Sequence, residues 1–295
     1  MSEPLSLSVI GARYSLELVG PDREIRAFGG VTTQPTHRSE MLTWATSGDY
    51  ARVFLTSDIA ACILSRQLFT DIPGLEDRSL LLTAGDPTDA FYTIFADAVL
   101  AGAWPSLQSL QGAGSQIASS AQIHDHVVIG ADCQIMDNVV ILPQTYIGDR
   151  VQIMPNTTIG GQGFQYGPIR GRQRLIPHAG GVYIADDVTI GSNVCIDRGL
   201  FSQWTSIGKG AHLDNLVHVA HSATIGDEAA ITSCAVIAGS ATIGDRAWLG
   251  PNSSVIDGRR IGDDALVGIG CVIMRDIPPH AVAYGVPARV KVWRE

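Results

Sequence analysis

Residues 207–272 written in sixes read IGKGAH, LDNLVH, VAHSAT, IGDEAA, ITSCAV, IAGSAT, IGDRAW, LGPNSS, VIDGRR, IGDDAL and VGIGCV. Every group opens on Ile, Leu or Val, and Ile273 continues the series. The fifth place is small from Ala211 and Val217 through to Ala265 and Cys271, and only Arg259 breaks the rule. A period of six fits neither the helix period nor a single amphipathic strand. It specifies a solenoid in which each unit makes one short strand and one corner, and three units, 18 residues, close a triangular coil.

The same series runs upstream through Ile117, Ile123, Ile129, Ile135, Ile141, Ile147, Ile153 and Ile159, and it returns at Ile184, Ile190 and Ile196. These 23 positions make seven to eight coils, on the order of 35 Å of stacked strands. Between Gly160 and Gly181 the phase is lost to Gly161-Gln162-Gly163-Phe164-Gln165-Tyr166-Gly167 and to Arg170, Arg172 and Arg174. Coils on both sides must still stack, so this excursion, taken as 160–182, is expected to project from one corner of the prism. Long loops of this kind are usually functional. A one-residue disturbance follows between Asp197 and Thr205.

The fold class is therefore mainly β: a parallel β-helix over residues 106–276, preceded by a small α/β domain over 1–105 and followed by a short tail, 277–295. The first segment lacks the period; Leu42 to Ser65 alternates apolar runs with polar breaks, and Asp86-Pro87 opens helical spacing from Thr88 to Leu100. Open ends of a solenoid need covers. The α/β domain is expected to cover one end, and Pro278, Pro279 and Pro287 to end strand pairing at the other.

Twenty basic residues against 29 acidic ones, a net charge of −9, argue against a broad nucleic-acid surface. The five cysteines form no CxxC pair, and Cys133 and Cys271 take inward positions, which predicts buried reduced thiols and a cytoplasmic setting. Met1-Ser2-Glu3-Pro4 has no basic region followed by an apolar core, so no signal peptide is expected. The longest apolar stretch, Phe91 to Trp104, contains Asp97 and is too short to span a bilayer, so no integral membrane segment is expected.

His221 and Gly239 are 18 residues apart and should stack on one corner of consecutive coils, about 4.8 Å apart. A glycine there leaves space beside the imidazole. Such a site suits amide formation from a thioester, which needs a proton acceptor for the amine and a donor to the oxyanion. His221 fits the first role and the Gly239 N–H the second, with Asp214 or Asp197, about one coil away, orienting the ring. His218 adjoins an inward valine and lines the wall or a subunit interface. Trp44 and Tyr50 are core residues or a ligand stack, and the arginines of the excursion are a solvated face or a phosphate contact. His124 and His126 read as surface residues. A zinc site of His212, His218 and His221 could form only across an interface, because His212 and His218 fall on successive faces; no metal is expected.

The segments Gly163-Phe164-Gln165-Tyr166, Ile176-Pro177, Asp197-Arg198-Gly199, Asp214-Asn215, Ala220-His221 and Ala238-Gly239-Ser240 resemble, in order and spacing, the UDP-3-O-acylglucosamine N-acyltransferases of lipid A biosynthesis (LpxD). The resemblance extends from about residue 40 to 293 and implies a left-handed β-helix, an exception to the right-handed crossover rule. It further implies a homotrimer with active sites between prisms, a UDP-linked amino sugar as acceptor and no bound cofactor. The co-substrate it implies is an acyl thioester of phosphopantetheine, on acyl carrier protein or CoA. Trp44 and Tyr50 would match the aromatic pair that holds the uracil, and Phe164, Tyr166, Asp197, Asn215 and His218 would be substrate contacts.

Two departures bear on the donor. Arg259 stands where the family usually has a second histidine, and the chain stops at Trp293-Arg294-Glu295 where the family usually continues into helices. Tyr284-Gly285-Val286-Pro287-Ala288-Arg289 resembles instead the tail of shorter acetyl-CoA enzymes. An arginine pointing into an apolar prism would be an unpaired buried charge. Arg259 is therefore expected to turn out at a corner or distort its coil, and to contact the donor phosphate. The alternatives are an acetyl-CoA-dependent acetyltransferase of another nucleotide amino sugar, or a hexapeptide scaffold without catalysis.

Overall fold

A computed structural model describes residues 5–32, 37–102 and 106–292. Met1 to Pro4, Trp104 and Trp293 to Glu295, which figure in the readings of the N-terminus, the apolar stretch and the tail, lie outside the described residues. The chain divides into two compact units, one of residues 1–105, 164–179 and 201–203 and one of 106–163, 180–200 and 204–295.

The larger unit is a left-handed parallel β-helix with three sheets of eight, eight and ten strands. The first face carries Ile123, Ile141, Ile159, Ile196, Val219, Ile237, Val255 and Ile273 in consecutive strands, and the second Ile129, Ile147, Ile184, Ile207, Ile225, Ile243 and Ile261. The third runs from Ile117 through Leu213 and Val267 to the tail. The hexad residues from Ile129 to Ile273 are at most 2 % exposed and form one continuous core with the small companions. Strands only two to four residues long suffice because each pairs on both sides, as in His218 with Cys195 and Val236. Each corner turns through a left-handed residue, such as Asn138, Asn156, Asn252 and Asp264, or Gly258 and Gly270. Asn, Asp and Gly tolerate this conformation best.

The tail differs from expectation. Pairing continues past Pro278 and Pro279: Ala281–Tyr284 adds in parallel to Leu266–Val267, and Arg289–Val292 then pairs antiparallel with it. The prolines sit in the connections and leave the strand amides free to pair, so this end of the third sheet closes with a hairpin.

The smaller unit has a five-stranded sheet in the order Glu17–Val19, Ser79–Thr83, Ala61–Ser65, Met41–Trp44, Ala27–Phe28, parallel apart from the first strand. Helix Pro87–Leu100 starts where Asp86 and Pro87 indicate, with the Asp86 carboxylate accepting from Thr88 N at 2.8 Å. The excursion does not project freely. Tyr166–Ile169 and Arg172–Leu175 form a hairpin, and Arg170 binds both Asp97 oxygens at 2.7 Å while Gly171 N donates to Asp89. Gly167 lets the hairpin approach closely, since a Cβ there would lie 2.6 Å from the Tyr92 ring. These contacts to helix 87–100 make residues 164–179 part of the smaller unit.

Candidate active site

His221 sits two residues past the inward Val219, at the corner between the first and second faces. Ser240 N donates to His221 O at 2.9 Å, which stacks the Gly239 corner on it. A Cβ built on Gly239 would come 2.5 Å from His221 Cε1 and 2.7 Å from Nε2. The ring therefore occupies the volume a side chain at 239 would need. Gly239 is not in the left-handed region, so its requirement is for space rather than for backbone freedom.

Two carboxylates face this imidazole. Asp197 comes from the preceding coil, where Cys195 and Ile196 pair with His218 and Val219; its Oδ2 lies 3.7 Å from His218 Nε2 and its side chain is 15 % exposed. Asp257 comes from the corner above Gly239. Partial burial lowers the His221 pKa from the ordinary histidine value, Asp257 and then Asp197 push it back up, and His218 pushes it down. Burial raises the Asp197 pKa, opposed by His218 and His221. Arg198 fixes this corner from below, donating from Nε to Gly160 O at 2.8 Å and from Nη2 to Pro143 O at 2.9 Å. Gly161, paired with Asp197 across a bulge, keeps a Cβ away from the Asp197 carboxylate.

The structure brings together His218, His221, Gly239 and Asp197. Asp214 is a correction: its Oδ1 accepts from Asn215 N at 2.7 Å, and it lines a groove of about 450 Å³ on the third face with His212, Asn215, Ser192 and Thr232. It belongs to the corner before His218, and the carboxylates acting on His221 are Asp257 and Asp197. Asn215 spends its side-chain oxygen on Ser192 N at 2.8 Å, a contact between coils. Sequence reasoning missed Asp257. The signal was available, because 257 is 239 plus one further coil of 18.

Arg259 leaves its coil regular and keeps its side chain partly exposed. Its coil is undistorted: Arg259 N reaches Ile256 O at 3.4 Å and Arg259 O accepts from Thr242 N at 2.8 Å, as Ala241 and Ala223 do with their neighbours. Its Nε is buried without a hydrogen bond, while the side chain as a whole is 42 % exposed and Nη1 lies 3.8 Å from Asp276 Oδ1. Its strand, Arg260–Ile261, is the last of the second sheet, beyond which only Ile277 bridges.

Trp44, Tyr50, Phe164 and Tyr166 belong to the smaller unit. Trp44 is half-buried: its ring stacks on Phe91 at 4.2 Å and packs against Tyr92 and Phe201. It joins an aromatic cluster, and among the described residues no ring contact joins it to Tyr50. Tyr50 is 47 % exposed on helix Gly48–Leu55. Phe164 and Tyr166 are an exposed pair with centroids 5.0 Å apart. Cys62, Cys133 and Cys271 are buried. His212 lies on the third face and His218 on the first. No helix of the described residues is long and apolar enough to cross a membrane.

The family described as bacterial transferase hexapeptide (six repeats) matches residues 126–161, and the hexapeptide repeat of succinyl-transferase matches 240–275. A UDP-3-O-acylglucosamine N-acyltransferase of Leptospira biflexa is 48 % identical over 67 residues, which is 23 % of this chain and 19 % of that protein. A protein of the same name from Pseudomonas paraeruginosa is 47 % identical over 70 residues, 24 % of this chain and 20 % of its own. The chain thus matches these relatives over about a fifth of their length. Among solved structures, a UDP-N-acetylglucosamine acyltransferase (LpxA) from Bacteroides fragilis aligns with a TM-score of 0.56 at 29 % identity, over 63 % of this chain and 71 % of that one.

Proposed function

We propose that the chain is an acyltransferase of the LpxD kind, moving an acyl group from a phosphopantetheine thioester to the amine of a UDP-linked amino sugar. The observation that carries this reading is the His221 ring seated in the space left by Gly239. A lowered pKa leaves His221 neutral near pH 7 and able to accept a proton. The amine nitrogen attacks the thioester carbonyl, and its proton goes to His221 Nε2. The Gly239 N–H stabilises the tetrahedral oxyanion. The C–S bond then breaks and the thiolate takes the proton from His221, giving amide and free thiol. Asp197, close to both histidines, positions the imidazoles and offsets the charge His221 gains.

In this reading Tyr50 and the Phe164–Tyr166 pair are the exposed rings available to the uracil. The half-exposed Arg259 meets a phosphate of the donor, whether acyl carrier protein or CoA. The working form is a cytoplasmic homotrimer. The test is turnover of purified protein with a UDP-3-O-acylglucosamine acceptor and acyl thioester donors, followed by mass spectrometry of the amide. His221→Ala should reduce turnover by about a hundred- to ten-thousandfold. Near wild-type turnover by that variant removes His221 from the mechanism.

A further inference from the structure

The column of His221 and Gly239 continues upward to a residue the mechanism above does not use. Gly258 N donates to Gly239 O at 2.9 Å, so the Asp257–Gly258 corner stacks directly on the Gly239 corner. The Cβ that Gly239 lacks would lie 2.7 Å from His221 Nε2 and 2.6 Å from Asp257 Oδ1. One missing side chain therefore opens at once onto the proton-accepting edge of the base and onto a carboxylate oxygen. Asp257 is exposed at this corner, and its charge acts on His221 more strongly than that of Asp197.

We propose that Asp257 binds the acceptor nitrogen and makes the site select an amine over a hydroxyl nucleophile. This rests on the acyl-transfer reading above. A neutral amine carries two N–H groups besides the lone pair that attacks. One N–H goes to His221 Nε2, and the second needs an acceptor beside it, which Asp257 Oδ1 supplies. The nitrogen becomes positive as the C–N bond forms, and the carboxylate stabilises that charge. An attacking hydroxyl has a single proton, which His221 takes. It has no second proton for Asp257, whose carboxylate then faces only oxygen lone pairs, so the contact that helps an amine opposes an alcohol. A site built around a substrate hydrogen bond discriminates strongly against analogues that lack it.

The experiment compares two acceptors at saturating acyl donor: a UDP-3-O-acylglucosamine, and the analogue with a hydroxyl replacing the amine. The analogue is assayed as substrate and, where it is not turned over, as a competitive inhibitor. Wild-type protein should prefer the amine. Asp257→Asn keeps the shape and removes the charge, and should lower kcat/KM for the amine by about ten- to a hundredfold, the scale of a hydrogen bond to a charged group. Its constants for the hydroxyl analogue should stay unchanged or improve, and Asp257→Glu should recover part of the amine activity. An unchanged preference in Asp257→Asn, or an equal loss for both acceptors, overturns the proposal, the equal loss indicating a structural role. A wild-type protein that acylates neither acceptor overturns the acyl-transfer reading itself, and the proposal with it.

Discussion

The corner at His221 and the aromatic cluster at Trp44 both came out of the sequence as candidate binding sites, and the structure treats them differently. At His221 a strict period converts sequence distance into spatial contact: residues 18 apart stack, as Ser240 does on His221 and Gly258 on Gly239. The space at Gly239 follows from that arithmetic. In the smaller unit no period exists, and Trp44 packs against Phe91, Tyr92 and Phe201. The partners Phe91 and Tyr92 are 47 and 48 positions away, and Phe201 is 157 away. In a solenoid a residue type at a known register carries geometric information. In an ordinary sheet-and-helix unit the same residue type carries only a preference for burial.

The contrast can be broken by substitution, and the largest expected effect is at Trp44. Trp44→Ala should destabilise the smaller unit by about 3 to 5 kcal/mol, the cost of deleting a large core aromatic, measured by denaturant titration. A stable variant that has lost UDP-sugar binding would restore Trp44 as a ligand contact. Next is Gly239→Ala, whose Cβ would first meet side-chain atoms, the His221 ring and Asp257 Oδ1, rather than backbone. Folding should be preserved while turnover falls by roughly a hundredfold, as expected for a displaced catalytic group. A folded variant with full turnover would show that the space at 239 has no catalytic consequence.

Arg259→Ala should raise KM for the acyl donor by about tenfold, the lower range for a charge-assisted contact, with kcat nearly unchanged. Its pair with Asp276 is long and half-exposed, so little stability should be lost. A collapse of kcat at constant donor affinity would place Arg259 in the chemical step. The smallest effect on stability belongs to Tyr50→Ala, within about 0.5 kcal/mol because the ring is on the surface. Any loss of UDP-sugar affinity measured by calorimetry in that variant then reports a ligand contact.

The prism was legible because its core has one rule, an aliphatic residue every sixth place, and Ile207 through Ile273 obey it without a slip. The helix at Pro87 was legible for a local reason, the Asp86 cap. Asp214 was misassigned because sequence distance fixes which coil a residue occupies but places it beside His221 only when the remainder modulo 18 also matches. Asp257 satisfies that condition and Asp214 does not. Asp197 reaches the site through the regular pairing of Cys195 and Ile196 with His218 and Val219, which the hexad positions Ile196 and Val219 anticipate. The pairing of the excursion with helix 87–100 rests on the Arg170 and Asp97 contact, between residues 73 apart with no pattern linking them.

The central claim is that the column of His221, Gly239 and Asp257, with Asp197 and His218 beside it, forms one proton-handling centre. It is tested most directly by an NMR titration of the His221 imidazole in wild-type protein and in Asp257→Asn. Burial should hold the wild-type midpoint below the ordinary histidine value, about 6.5, leaving the ring neutral at pH 7 and protonated only as the pH falls. Asp257 raises that midpoint, so its neutralisation should lower it further, with Asp197 and His218 still in place. A wild-type midpoint at or above the ordinary value, unmoved by Asp257→Asn, would contradict the account.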